Sequence, residues 1–345
     1  MSSPDPPPPQ VGEKPPLPWR ARLLLRGVTV LHAAALRRDG TVNRLLLSLF
    51  DRTVPPTASS PVDGVASSDH AVSDHLRVRL FTPTDSKGKE EEELPVVVYF
   101  HGGGFAFHSA SSSRFDALCR RLASAVPATV ASVDYRLAPE HRFPAAYDDG
   151  DAALRWVLAG GVLRSPPPAV FVAGDSAGGN VAHHVAARAP GAVAGVVAIQ
   201  PFFGGEAPTA SELRLCGAPF GAPERVAWLW RAFLPPGVTR DHDAANVPAA
   251  IARRGRLRAG ESWPPTMVCV GGWDPHQDRQ RAYADALRGA GARVEVREYA
   301  DAVHAFYLFE ELGESKRLLV DVAEFVNRRT EELKKERAED GAARQ

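Results

Sequence analysis

Residues 173–180 read AGDSAGGN, so a single serine, Ser176, stands among glycine and alanine residues. The apolar run AVFV comes directly before this stretch, and VAHHVAARA, a segment with helical spacing, comes directly after it. The pattern predicts that a strand turns straight into a helix at the serine. Small neighbours allow so sharp a turn to close, and the N-terminus of the helix favours negative charge beside Ser176. The G-x-S-x-G pattern of residues 174–178 therefore makes Ser176 a candidate nucleophile.

A second glycine-rich stretch, HGGGF at residues 101–105, follows the apolar run LPVVVYF. It is therefore also expected at the carboxyl end of a strand. Consecutive glycines leave their backbone N–H groups uncovered, and such groups stabilise the oxyanion of an acyl-transfer intermediate. We assign Gly103, Gly104 and Ala177, the residue after the nucleophile, as the oxyanion hole.

A nucleophilic serine needs a base, and the base needs an orienting acid. When the serine sits in a strand–turn–helix motif, the acid and then the histidine follow it along the chain. Here GGWDPHQD places Asp274 just past the strand-like PTMVCV, and DAVHAF places His304 just past the strand-like ARVEVREY. Ser176, Asp274 and His304 are therefore the predicted catalytic residues. Asp278 and Asp301 remain alternatives for the acid.

The remaining histidines and acidic clusters are assigned no part in this chemistry. His183 and His184 are expected to pack behind the serine, whereas His276 lies close enough to Asp274 to reach the pocket. The stretch DHD at residues 241–243 is typical of a turn rather than of a metal site. We predict no metal and no cofactor, and the residues that bind the substrate stay unassigned.

Strand-like and helix-like patterns alternate regularly from residue 94 to the last predicted helix, SKRLLVDVAEFVNRRTEELKKE. A polar stretch, residues 51–70, and a half-buried strand, HLRVRLFTP, precede this alternation. The order predicts an α/β fold with a mostly parallel sheet that helices cover on both faces. Such sheets bind their ligands at the carboxyl ends of the strands, where the candidate residues lie.

The rest of the chain is expected to contain one proline-rich lead-in and one domain, residues 19–345. Residues 1–18 carry the prolines and are predicted to be flexible. Residues 19–50 contain two short amphipathic helices, and residues 202–262 form a longer irregular insertion. The tail, residues 333–345, is highly charged and is expected to fray.

The composition is that of an ordinary soluble protein, with 345 residues of which 44% are hydrophobic and 24% charged. Lys and Arg number 41, as do Asp and Glu, so no net charge favours nucleic acid or an anionic membrane as a partner. The three cysteines have no paired spacing, which indicates a reducing compartment. Neither a signal-peptide pattern nor a membrane span is recognisable. We therefore expect a location in the cytoplasm, or also the nucleus; the oligomeric state stays unassigned.

Together the motifs resemble those of plant carboxylesterases in the hormone-sensitive-lipase group of α/β hydrolases, which also contains gibberellin receptors. The resemblance extends from about Trp19 through most of the chain. The stretches that carry it are RRDGTVNR, HGGGF, DYRLAPEHRFPAAYDD, GDSAGGN, DHDAANV, GGWDPHQD and DAVHAFYLF. It implies an α/β-hydrolase fold in which Arg136 and Glu140 brace the core.

The resemblance also implies a lid over the pocket, made by the helices of residues 19–50 together with the insertion 202–262. Three aromatic residues of that insertion either line an apolar pocket or form the lid's own core; they are Trp228, Trp230 and Phe233.

Departures from the family pattern bear on the activity. In the hormone receptors an aliphatic residue replaces the catalytic histidine, whereas this chain has His304. A dehydratase branch can carry threonine at the position of the nucleophile, whereas this chain has Ser176. Ala305 stands where glycine is common, and Trp273 and His276 replace residues that are often smaller or aliphatic, which affects the shape of the acyl pocket. The resemblance thus implies a serine carboxylesterase that hydrolyses small to medium apolar carboxylic esters. A gibberellin-type hormone receptor and a lyase or acyl-transfer variant of the fold remain alternatives.

Overall fold

The centre of the molecule is an eight-stranded sheet. The computed structural model describes residues 15–84, 94–161, 167–258 and 262–343, with side chains to residue 339. The strands are β1 (Val65–Ala71), β2 (Arg77–Pro83), β3 (Val96–Phe100), β4 (Thr129–Asp134), β5 (Val170–Asp175), β6 (Gly195–Ile199), β7 (Thr266–Trp273) and β8 (Val294–Val303). Their order across the sheet is β1-β2-β4-β3-β5-β6-β7-β8. The β1–β2 and β2–β4 pairs are antiparallel and all other pairs are parallel, so the prediction of a mostly parallel sheet is confirmed.

Helices connect and cover these strands. They are α1 (Trp19–Ala35), α2 (Arg44–Ser48), α3 (Ser113–Ala125), α4 (Ala145–Leu158), α5 (Ala177–Arg188), α6 (Ala210–Arg214), α7 (Pro223–Phe233), α8 (Val247–Arg254), α9 (Gln277–Gly289) and α10 (Gly313–Ala343). A short 3₁₀ helix, Phe306–Leu308, follows β8. Helices α1 and α2 lie where the apolar spacing predicts two helices before residue 51.

Alternate side chains of the central strands enter two cores on opposite faces of the sheet. Val98 and Phe100 of β3 pack in one core with residues of α4 and α5, whereas Val97 and Tyr99 pack in the other with residues of α3 and α10. All five residues of β3 are buried, because a parallel sheet covered on both faces leaves neither side to water. Each such valine contributes about 1.5–3 kcal/mol through burial.

Three elements differ from the sequence-based expectation. Strand β1 occupies the end of the polar stretch 51–70, for which no strand is predicted. Its small and polar residues suit an edge strand with one covered face. The insertion 202–262 is not irregular throughout: it holds α6, α7 and α8, whose short amphipathic turns are separated by glycine and proline. Helix α10 continues to Ala343, beyond Glu336, where the last predicted helix ends; that the charged tail frays stays a prediction.

The first fourteen residues of the proline-rich lead-in lie outside the described residues. Of the helices that the structure describes, none is both long and apolar enough to cross a membrane.

Candidate active site

Ser176 occupies a sharp turn between β5 and α5, with φ 51° and ψ −118°. This backbone conformation is uncommon for a residue with a side chain and is the strained elbow that the sequence predicts. The glycines beside it make the turn sterically possible. A Cβ at Gly174 would overlap the carbonyl oxygen of Gly178, and a Cβ at Gly178 would overlap the carbonyl oxygen of Phe100 in β3.

His304 joins Ser176 to Asp274. Its Nε2 lies 3.0 Å from Ser176 Oγ, and its Nδ1 lies 2.8 Å from Asp274 Oδ2. The three residues come from the carboxyl ends of β5, β8 and β7, which meet at one edge of the sheet. The two other candidate acids do not contact the imidazole. Asp278 accepts the backbone N–H of Ser211 at 2.8 Å, and Asp301 is exposed on β8.

The carboxylate of Asp274 is fully buried and has three donors. Besides His304, the backbone N–H of His276 donates to Oδ1 at 2.9 Å and the side-chain amide of Gln280 donates to Oδ2 at 2.8 Å. Burial alone raises the pKa of Asp274. The charge of His304 and its hydrogen bond lower the pKa, as do the other donors around Asp274, and together they outweigh the effect of burial. The net effect lowers the pKa, so Asp274 stays ionised and fixes the imidazole with Nε2 toward the serine.

The glycine loop after β3 presents free backbone donors to the same edge. Gly103 and Gly104 have φ of 117° and 61°, values that favour glycine. Among the described residues, no acceptor is hydrogen-bonded to the N–H of Gly103, Gly104 or Ala177. Side chains at the two glycines have no room, because the Phe107 backbone and the Leu229 side chain occupy the space. These three N–H groups are therefore available to a ligand oxygen.

Two polar residues beside Ser176, Asp175 and Asn180, form structural hydrogen bonds. Asp175 accepts the hydroxyls of Tyr99 and Tyr307 at 2.6 and 2.7 Å, and Asn180 accepts the hydroxyl of Tyr147 at 2.5 Å. Burial raises the pKa of Asp175, against the hydrogen bonds that favour its ionised form.

Ser176 and His304 open into a cavity of about 580 Å³ with a largely apolar wall. Helices α1, α2 and α7 supply much of that wall through residues such as Leu31, Val226 and Leu229. The three aromatic residues of the insertion do not line the cavity. Trp228, Trp230 and Phe233 are on the buried side of α7, where Trp230 stacks on Phe202 at 4.7 Å; of the two alternatives, the structure therefore favours packing in a core.

A polar cluster on the side of the cavity formed by α1 and α7 escaped sequence reasoning. His32 of α1 and Arg225 of α7 both line the cavity, and Arg225 Nη2 donates to His32 Nδ1 at 3.2 Å. The two residues are 193 positions apart and neither lies in a recognisable motif. No local signal in the sequence marks them, because only the packing of the two helices brings them together.

The other histidines are packing residues or neighbours of the site. His183 contacts the hydroxyl of Tyr283 at 3.1 Å, and His184 stacks on Tyr147 at 4.3 Å. The His276 ring stands edge-on to that of His304 at 5.5 Å and lines the cavity, as its position beside Asp274 predicts. Across the described ranges, no group of three His, Cys, Asp or Glu side chains is arranged to hold a metal ion.

The fold is that of the α/β hydrolases, and the model of one such family, described as an alpha/beta hydrolase fold, matches residues 97–308. The chain therefore belongs to the α/β-hydrolase family. It is 39% identical over 329 residues to gibberellin receptor GID1C of Arabidopsis thaliana, and the aligned region covers 90% of this chain and 94% of the receptor. Carboxylesterase 20 of the same plant is 33% identical over 310 residues, covering 84% of this chain and 93% of that protein.

A solved structure gives the same result. A hyperthermophilic esterase from the archaeon Pyrobaculum calidifontis is similar with a TM-score of 0.68 at 28% identity, covering 90% of this chain and 98% of the esterase. The resemblance to plant carboxylesterases and gibberellin receptors that the motifs imply is thereby confirmed.

Proposed function

We propose that this protein is a serine carboxylesterase that hydrolyses small to medium apolar carboxylic esters through an acyl-enzyme on Ser176. The observation that carries the proposal is the position of His304, whose two ring nitrogens lie within hydrogen-bond distance of Ser176 Oγ and Asp274 Oδ2. A residue that only lined a binding pocket would not need both contacts. The apolar wall of the cavity supports an apolar acyl or alcohol group as the substrate.

In the proposed reaction, His304 Nε2 takes the proton of the Ser176 hydroxyl as Oγ attacks the ester carbonyl carbon. The resulting oxyanion accepts hydrogen bonds from the N–H groups of Gly103, Gly104 and Ala177; one such donor is worth about 3–4 kcal/mol of barrier lowering. The imidazolium then gives its proton to the leaving alcohol. A water molecule, deprotonated by the same imidazole, hydrolyses the acyl-enzyme and releases the carboxylic acid.

Asp274 has a separate part in this scheme. It holds the His304 tautomer in which Nε2 is free to accept a proton, and it stabilises the imidazolium that forms. Because its pKa is lowered, Asp274 keeps its negative charge through the cycle. Gln280 and the backbone of His276 hold the carboxylate in place.

The test combines covalent labelling with turnover of p-nitrophenyl acetate and butyrate. An organophosphate is expected to label the wild type on Ser176 and to leave Ser176→Ala unlabelled. Asp274→Asn is expected to lower kcat by roughly 10⁴-fold, because it favours the wrong tautomer. Asp278→Asn is the matched control and should stay within about twofold of the wild type. If the folded wild type neither reacts with the organophosphate nor turns over either ester, the proposal is wrong.

A receptor is the second candidate, and the 39% identity to a gibberellin receptor supports it. Under that alternative the cavity would bind a gibberellin without covalent chemistry, and His304 would have no function in the bound complex. Calorimetry of the wild type and Ser176→Ala with a gibberellin separates the two. Saturable binding without ester turnover would favour the receptor, whereas turnover without saturable heat would remove it.

A lyase or acyl-transfer variant would use the same residues and give different products. Mass analysis of the products formed from a candidate ester distinguishes it. Hydrolysis releases one carboxylic acid and one alcohol, with an oxygen from solvent water in the acid. Products that lack the solvent oxygen would support the variant chemistry.

A further inference from the structure

Arg225 is a cation in an apolar wall, and no carboxylate among the described residues is paired with it. It lies on α7 and lines the cavity, and none of the ion pairs among the described residues includes it. Its one hydrogen bond within those ranges goes from Nη2 to His32 Nδ1 at 3.2 Å, and its Nε is buried without a partner. Arg225 is half-buried, and withdrawing a guanidinium from water costs free energy unless something compensates its charge.

Aromatic rings compensate part of that cost. The guanidinium carbon of Arg225 lies 4.8 Å from the centre of the Phe220 ring and 6.0 Å from that of Phe107. Burial lowers the pKa of Arg225 to about 10, so the group still carries its charge at neutral pH. Cation–π contacts attract the charge but do not satisfy the N–H donors.

The acids that line the cavity are already engaged. The described part of the wall contains two carboxylates, and Asp51 accepts the hydroxyl of Ser112 at 2.7 Å and contacts His108 at 3.1 Å. The second, Asp175, accepts the two tyrosine hydroxyls and the N–H of Gly102. Neither is paired with Arg225.

The neighbouring groups are themselves cationic or neutral donors. Because His32 Nδ1 accepts from Arg225, the His32 ring is neutral and its other nitrogen carries the proton. Burial is the main cause that holds the pKa of His32 well below its ordinary value, and the charges of His108, Arg225 and Arg114 add to it. Arg114 also lines the cavity. This part of the wall therefore contains two guanidinium groups, and the charge of Asp51 acts on Arg114 rather than on Arg225.

The cluster lies close to the reacting residues. The Phe220 ring that Arg225 covers is also 5.8 Å from the ring of His304. A single aromatic ring thus separates the guanidinium from the imidazole that contacts Ser176. Ser176 and Arg225 line the same cavity, so a substrate held at Ser176 can extend toward Arg225 within it.

We propose that Arg225, assisted by His32, is an anion subsite that selects esters carrying a second, free carboxylate. The inference rests on the proposed esterase function and names its substrate class. A planar guanidinium pairs with a carboxylate through two parallel N–H donors, and one guanidinium with one imidazole matches a single negative charge. Hydrolysis of such an ester gives a dicarboxylic acid, or a hydroxy acid if the charge lies on the alcohol side.

The experiment compares two p-nitrophenyl esters with six-carbon acyl chains: mono-p-nitrophenyl adipate, whose chain ends in a carboxylate, and p-nitrophenyl hexanoate, whose chain ends in a methyl group. The measured quantity is the ratio of their kcat/KM values. Arg225→Gln is expected to lower this ratio at least tenfold, since a charged hydrogen bond in a partly dry site is lost. Arg225→Lys should lower it less, because the charge stays.

The matched control is Arg231→Gln on the same helix, where the arginine is exposed and lies away from the cavity. Its ratio is expected to stay within about twofold of the wild type. An equal ratio in the wild type, Arg225→Gln and Arg231→Gln would overturn the subsite while leaving the esterase proposal intact.

A binding measurement separates failure of the subsite from failure of the esterase. Calorimetry of Ser176→Ala with adipate monomethyl ester and with methyl hexanoate needs no turnover. Tighter binding of the charged ester, lost in the Ser176→Ala/Arg225→Gln double variant, supports the subsite even if the wild type hydrolyses neither p-nitrophenyl ester. Equal affinity for both ligands in a folded protein would contradict it.

Discussion

The carboxylate of Asp175 accepts the backbone N–H of Gly102 at 2.8 Å, although 73 positions separate the two residues. Asp175 directly precedes the serine of the elbow, and Gly102 directly precedes the donors of the glycine loop. The contact leaves no room for a side chain at 102, where a Cβ would overlap the carboxylate. The contact therefore links the proposed nucleophile to the N–H groups proposed to hold the oxyanion.

The hydroxyl of Tyr99 donates to the same buried carboxylate, so its removal should cost more than removal of a neutral hydrogen bond. We expect Tyr99→Phe to lower the free energy of unfolding by about 1.5–3 kcal/mol. Tyr283→Phe is the control, because Tyr283 is equally buried and its hydroxyl contacts the neutral His183. That loss should be about 1 kcal/mol. Urea unfolding measures the loss of stability in both variants. Equal losses would contradict the idea that Tyr99 donates to a charged carboxylate.

Gly178 tests the close packing of α5 against β3. A Cβ there would overlap the carbonyl oxygen of Phe100, and a backbone atom cannot move aside as a side chain can. Gly178→Ala is expected to destabilise the fold by more than about 2 kcal/mol. Gly289→Ala, in a helix with nothing within 4 Å of the new Cβ, should instead stabilise by about 0.5–1 kcal/mol. Thermal unfolding of both variants measures these changes in stability. If Gly178→Ala is as stable as the wild type, helix α5 can shift outward and the prediction is wrong.

Ala305 follows the proposed catalytic histidine in a left-handed conformation, with φ 66° and ψ 21°. Such a backbone costs a non-glycine residue about 1–2 kcal/mol, and glycine adopts it freely. Ala305→Gly is therefore expected to be neutral or to stabilise by up to about 1 kcal/mol after the entropy of the unfolded chain is counted.

The control for this prediction is Ala290→Gly, at an equally buried position with a helical backbone of φ −73°. It should destabilise by about 0.5–1 kcal/mol. Melting temperatures of the two variants give the comparison. If Ala305→Gly loses as much stability as Ala290→Gly, the backbone at 305 is not strained.

Buried histidines predict a loss of stability in mild acid. Burial lowers the pKa of His101 to about 4 and holds that of His183 well below its ordinary value. Below about pH 6.5 these histidines therefore bind protons in the unfolded chain but stay neutral in the folded chain. The free energy of unfolding falls as the pH approaches 4. For the fully buried His101 the loss is on the order of 2 kcal/mol between pH 7 and pH 5.

Urea unfolding of the wild type at pH 7 and pH 5 measures this loss. His183→Gln keeps an acceptor for Tyr283 and removes one titrating group, so its stability should fall less between the two pH values. His141→Gln, at an exposed position, serves as the control and should follow the wild type. A wild type that is equally stable at both pH values would contradict the prediction.

Features of the backbone were the most predictable from the sequence. The turn at Ser176, the strand ends before His101, Asp274 and His304, and the parallel sheet all follow from local spacing and small residues. Strand β1 was missed because its residues, VASSDHA, are mostly small or polar and lack the apolar run that marks the central strands. Helices α6, α7 and α8 were missed because glycine and proline interrupt short periodic segments.

Side-chain partners were less predictable. Three aspartates were open as partners of His304, and only the packing of β7 beside β8 placed Asp274, rather than Asp278 or Asp301, against its ring.

By itself, the sequence determined the elbow around Ser176, the glycine loop, and the order in which acid and histidine follow the serine. These features depend on backbone conformation, which neighbouring residues set through sterics and periodicity. The tertiary structure alone decided that Asp175 reaches Gly102 and that Arg225 of α7 meets His32 of α1 in the cavity. Those contacts join segments distant along the chain, and their geometry depends on how the helices and strands pack together rather than on any local pattern.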